Sequence, residues 1–173
     1  MSQLQTNSIV PVGGIPAGAS GGGIIQIVSA TTTARITSTT TTFTDISGLS
    51  VSITPRSTSN KILILASVSG HNDGFGHFVR LMRGATAISV GDASSNRVQS
   101  TMANYYNSDV NSPTTNGAVF LDSPATTSST TYKLQHRKGT GSGTIYINGT
   151  ANDADADYTG RTISTITVLE ISG

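Results

Sequence analysis

The chain has no cysteine, which excludes a disulfide framework and any thiolate metal site and leaves the fold to stand on packing alone. Charge is scarce too: 11% of residues are Asp, Glu, Lys or Arg, and the formal net charge is +1. A field that weak does not recruit nucleic acid, acidic lipid or a charged substrate, so neither a nucleic-acid nor a membrane partner is expected. No segment reaches the ~18 apolar residues of a membrane-spanning helix. The opening Met1-Ser2-Gln3-Leu4-Gln5-Thr6-Asn7 lacks the basic stretch and apolar run of a secretion signal. Glu, Lys, Arg and Leu are sparse, and no 3.6-residue period persists over ten positions, so no long helix is predicted.

What is abundant points elsewhere. Ser and Thr account for 51 residues and Gly for 19; Thr suits strands, while Ser and Gly suit turns. Short apolar-rich runs separated by turn signals predict strands over 24–30, 43–46, 49–54, 61–69, 75–83, 87–90, 101–106, 117–122, 131–138, 144–148 and 162–171. Ser47-Gly48, Asn72-Asp73-Gly74, Arg83-Gly84 and Ser123-Pro124 are among the breaks. Strands at this spacing fit an all-β antiparallel sandwich or barrel, with residues 24–173 as one domain.

Residues 1–23 are of a different kind. Leu4, Ile9, Val10, Val12 and Ile15 are set in a segment that runs into Gly13-Gly14-Ile15-Pro16-Ala17-Gly18-Ala19-Ser20-Gly21-Gly22-Gly23. Glycine-dense chain makes a poor core element, yet apolar residues gain nothing in a free tail. The expectation is an extended N-terminal anchoring arm and Gly-rich hinge, with those five apolar residues docking on another subunit.

Two predicted strands are apolar on both faces. Over 61–69, Ile62, Ile64, Ala66 and Val68 share one face, and Leu63 and Leu65 the other. Over 75–83, Phe75, Val79 and Leu81 oppose Phe78 and Met82. Antiparallel sheets commonly leave one face wet, so a second apolar face implies a cover. The expectation is a subunit interface through Leu63, Leu65, Phe78 and Met82 in a closed homotrimeric ring; a loop of the same chain is the alternative cover.

Catalytic chemistry finds little to work with. His71, His77 and His136 lie in different segments; His71 and His77 flank Asn72-Asp73-Gly74 and are placed to meet across a hairpin, but zinc takes three or four protein ligands and only Asp73 is near. Asp153-Ala154-Asp155-Ala156-Asp157-Tyr158 begins like a calcium loop, yet Tyr158 stands where the EF-hand needs glycine and Ser164 where it needs glutamate. Gly139-Thr140-Gly141-Ser142-Gly143-Thr144 lacks the Gly-Lys-Ser/Thr ending of a phosphate loop and reads as a hairpin loop. Lys133, Arg137 and Lys138 read as an exposed face. No catalytic residue, cofactor or metal site is assigned, and a non-enzymatic protein is expected.

The order of elements from Phe43 to Ile171 resembles the trimeric jelly-roll layout of C1q- and tumour-necrosis-factor-like domains. The likeness is carried by 61–69, Phe78-Val79-Arg80-Leu81-Met82-Arg83-Gly84, Gly117-Ala118-Val119-Phe120-Leu121, Thr131-Tyr132-Lys133-Leu134 and Thr165-Ile166-Thr167-Val168-Leu169-Glu170-Ile171. Across residues 24–173, the segments Leu49-Ser50-Val51-Ser52-Ile53-Thr54-Pro55, Ser59-Asn60-Lys61-Ile62-Leu63-Ile64, Leu121-Asp122-Ser123-Pro124 and Gly160-Arg161-Thr162 are similar to small virion structural proteins of tailed phages, especially those of cyanobacteria and other aquatic bacteria. The resemblance implies a jelly-roll β-sandwich located in the virion. Its role would be that of a capsid decoration (cement) protein bound to the major capsid protein or other virion proteins. The alternative is a small tail or head fibre that recognises a host surface glycan through Tyr105, Tyr106 or Tyr158.

Overall fold

A computed structural model describes residues 23–173; Leu4, Ile9, Val10, Val12 and Ile15, expected to anchor the chain, lie outside the described residues. Alternation of apolar and polar side chains over short runs produces strands throughout: β1 (Ile24–Thr32), β2 (Ile36–Ser38), β3 (Thr44–Ile53), β4 (Lys61–Asn72), β5 (His77–Arg83), β6 (Thr86–Ile88), β7 (Met102–Asn104), β8 (Thr114–Asp122), β9 (Thr130–Lys138), β10 (Ile145–Ile147) and β11 (Ser164–Ile171). They form two antiparallel sheets, consistent with a β-sandwich.

In the first sheet β4 pairs with β8 on one side and with β11 and then β10 on the other; β1 lies beside β11, and β2 beside β10. In the second, β3, β9 and β5 lie side by side, and β6 and β7 pair with successive halves of the far edge of β5. Inward positions from both sheets make one core: Ile62, Ile64 and Val68 of β4, Ile166 and Val168 of β11, Leu49, Val51 and Ile53 of β3, Val79 and Leu81 of β5, and Tyr132 and Leu134 of β9. Each such aliphatic side chain contributes roughly 2 kcal/mol by leaving water.

Ser47-Gly48 is not the turn its composition predicts. The pairing of β3 with β9 slips between Asp45 and Ser50, with Gly48 at φ +82°. The strand therefore carries a bulge, and its inward side switches from Ile46 to Leu49 without a break.

The segments 73–76 and 139–144 are not hairpins either. The first joins β4 of one sheet to β5 of the other, and the second joins β9 to β10 in the reverse direction. They lie against each other at one end of the sandwich, where the Asp73 N–H donates to the Thr144 carbonyl at 3.2 Å. His71 and His77 consequently belong to different sheets and do not face each other across a hairpin.

Polar side chains pin the layers together. Inward-facing Asp122 of β8 accepts from the Tyr132 hydroxyl at 2.6 Å and from Arg83 Nη1 at 2.8 Å, tying the first sheet to β9 and β5 of the second. Glu170, the only glutamate in the sequence, is fully buried. It accepts from Gln26 Nε2 at 2.5 Å, Asn60 Nδ2 at 2.5 Å and the Arg56 N–H at 2.7 Å. Burial works against its charge, but these three donors together outweigh burial and hold the carboxyl below its ordinary value.

Candidate functional site

The two outer faces of the sandwich differ in chemistry. On the first sheet, strand register sets Ile27, Leu169, Leu63 and Leu121 in one row across β1, β11, β4 and β8, and Ser29, Thr167, Leu65 and Val119 in the next. Val119 is 71% exposed and Leu65 40%. A third row, Thr31, Thr165, Ser67 and Gly117, is also uncharged. Lys61, whose ammonium donates to Ser123 Oγ, stands at the rim. An apolar patch bounded by polar groups has the anatomy of a protein interface.

The outer face of the second sheet is a polar lattice. Arg80 donates through Nε and Nη2 to Gln135 Oε1, and Gln135 Nε2 and the Lys133 ammonium donate to Asp45. The Lys133 hydrogen bond, assisted by Gln135, holds the Asp45 carboxyl below its ordinary value. The Arg80 guanidinium lies 4.0 Å from the centre of the Phe43 ring.

Of the four residues expected at an interface, Leu63 and Leu65 fall in the apolar rows. Phe78 is half-buried on the other sheet, and Met82 is buried within its own chain, so it adds no exposed area. The alternation that marks Met82 as outward-facing is correct; what the pattern cannot register is that the chain covers it.

Where the outer face of the second sheet meets the crossover end, a groove of about 1030 Å³ opens between β5, β7, the end of β9 and the loops around 94–100 and 139–141. Phe75, Phe78, Tyr105, Arg97 and Arg137 line it. A smaller recess of about 270 Å³ adjoins it, sharing Phe75 and Tyr105 and adding Asp73 and Tyr106.

Local sequence builds this end. Asn72 accepts from the Gly74 N–H at 3.1 Å and donates to the Gly74 carbonyl, an Asx-type turn that carries the chain into Phe75. The 139–143 loop then closes over it: a Cβ on Gly139 would overlap the Phe75 carbonyl oxygen, and one on Gly141 would lie 2.7 Å from the Phe75 ring. Only glycine admits such an approach.

Under this end lie His77 and His136, both buried, with ring centroids 5.8 Å apart and edge-on. Burial, assisted by the charge of His136, pushes His77 down to about 3; burial pushes His136 down to about 4. Lys138, expected on an exposed face, is buried, and its ammonium donates to the Gly141 carbonyl. Its side chain continues the inward series of Tyr132, Leu134 and His136, which the sequence pattern misses because a lysine breaks the apolar signal.

His71 is buried on the other sheet, with Nδ1 3.2 Å from the Ser112 carbonyl and its ring 5.9 Å from that of Tyr146. In the acidic loop, Asp153 faces two guanidinium groups, Arg161 and, at 3.6 Å, Arg35. Tyr158 is exposed and does not line the groove, whereas Tyr105 does. Among the described residues no three His, Asp or Glu side chains converge as metal ligands. No protein-family model matches the chain, and no curated protein matches it significantly.

Proposed function

We propose that the chain is a non-enzymatic structural protein of a phage particle. In this reading it is a jelly-roll sandwich that assembles as a homotrimer and decorates the capsid shell, held to the major capsid protein by the arm of residues 1–23. The observation that carries it is the uncharged patch over β1, β11, β4 and β8 on the outer face of the first sheet, where Ile27, Leu63, Leu65, Val119, Leu121 and Leu169 stand side by side. A neutral apolar face offers nothing to a charged ligand and is well suited to meeting copies of itself. The jelly-roll assignment draws support from the repeated crossing between sheets, from β2 to β3, β3 to β4, β4 to β5, β7 to β8, β8 to β9 and β9 to β10.

A small tail or head fibre is the second reading, favoured by the exposed aromatic groove at the crossover end. Quantitative mass spectrometry of purified particles separates the two. Copy number comparable with the main shell protein is the expected result; a small minority of copies would mean a fibre, and absence from particles would overturn both readings.

A further inference from the structure

We propose that the groove beside Phe75 is a binding site for an acidic saccharide, a sugar chain bearing uronic-acid carboxylates. The proposal deepens the glycan-recognition reading by naming a site and a ligand class. Because it concerns the purified chain, it stands or falls independently of where the protein sits in a particle.

Two aromatic rings of the groove stand in water. Phe75 is 55% exposed and Tyr105 67%. Holding a phenyl ring in water does nothing for folding, and clustered exposed apolar groups mark places where something binds. Yet Phe75 is held firmly. Gly139 and Gly141 press on it, the Gly139 N–H donates to the Gly76 carbonyl at 2.9 Å, and the buried Lys138 ammonium anchors the Gly141 carbonyl. A ring fixed before binding loses little freedom on binding. Flat aromatic faces with polar neighbours suit the C–H face of a pyranose, and Asn96, Ser100 and Thr140 line the groove with polar side chains for hydroxyls.

Charge narrows the class. Arg97 and Arg137 line the groove and no carboxylate does; among the described residues neither arginine is in an ion pair. Arg137 donates through Nε to the Lys138 carbonyl at 2.9 Å, which orients its guanidinium and leaves the terminal nitrogens for a ligand. A planar fork of this kind matches a carboxylate. Asp73, in the adjoining recess, is occupied by the Thr144 N–H and the Tyr146 hydroxyl. Two guanidinium groups on a chain of net charge +1 fall short of the basic track that a nucleic-acid strand needs. The volume of about 1030 Å³ stands at the top of the ~300–1,000 Å³ range of ligand sites, suited to several sugar units rather than to an isolated anion.

The test is calorimetric titration of the full chain with oligogalacturonate, with the carboxyl-reduced oligosaccharide and an oligothymidylate in parallel. Saturable binding of oligogalacturonate is expected, weaker by about tenfold or more in Arg137→Gln and in Tyr105→Ala, with the melting temperature of each variant unchanged because both side chains project from the surface. No saccharide binding, equal binding of the carboxyl-reduced sugar, tighter binding of the oligothymidylate, or undiminished binding by both variants would each overturn the proposal.

Discussion

His77 and His136 meet between the sheets where a charge has no water and no acidic partner among the described residues. Their folded values of about 3 and about 4 lie below the ordinary 6.5, so between these values the unfolded chain binds protons that the folded chain refuses. Stability from this pair is whole above pH 6.5 and is lost as pH falls to about 4 for His136 and to about 3 for His77. The loss reaches on the order of 1.4 kcal/mol per pH unit for each histidine. Glu170 acts in the same direction at lower pH: with its carboxyl held below the ordinary value, its contribution declines as pH falls from that ordinary value through the lowered one. Denaturant unfolding followed across this window should therefore show declining stability, and His136→Leu should roughly halve the slope. An unchanged slope would place the acid sensitivity elsewhere.

Strands β5, β8 and β9 are joined through one carboxylate. Tyr132 is fully buried, and burial together with the Asp122 hydrogen bond pushes its hydroxyl far above the ordinary value, so it stays a donor. Tyr132→Phe removes one hydrogen bond to a charged acceptor while Arg83 still satisfies Asp122. A loss of about 2 kcal/mol in chemical denaturation is expected; a loss near zero would mean that the inter-sheet pin does not hold β8 to β9.

These strands are also where the sequence speaks most clearly. Alternation places 131–138 within a residue of Thr130–Lys138, and 61–69 coincides with the start of Lys61–Asn72. Strand β2 is missed because Ile36 opens a run of polar Thr and Ser with no apolar alternation to mark it. Hairpins and sheet-to-sheet crossings use the same turn residues, so Asn72-Asp73-Gly74 and the 139–143 glycines announce a break without saying which sheet follows. The groove is illegible for the same reason. Tyr105 stands out as a contact residue, but Phe75 falls into a strand pattern, and its close contact with Gly139 and Gly141 joins loops more than sixty residues apart.

Seen whole, the molecule separates two kinds of surface. The second sheet keeps its outer face wet with the Arg80, Gln135, Asp45 and Lys133 lattice, while the first sheet carries a neutral, apolar patch over β1, β11, β4 and β8. In the proposed trimer, self-assembly would use the first sheet and leave the crossover groove free on the other side of the sandwich. Light scattering should then report about three times the 17.7 kDa chain mass. Val119→Lys is the sharpest probe, because Val119 is exposed on β8, where a lysine is harmless to a lone chain. In an assembly it would bury an unpaired ammonium, a penalty of several kcal/mol for each copy. The variant should run at the mass of a single chain with its circular dichroism unchanged, whereas a retained assembly would move the interface away from this face.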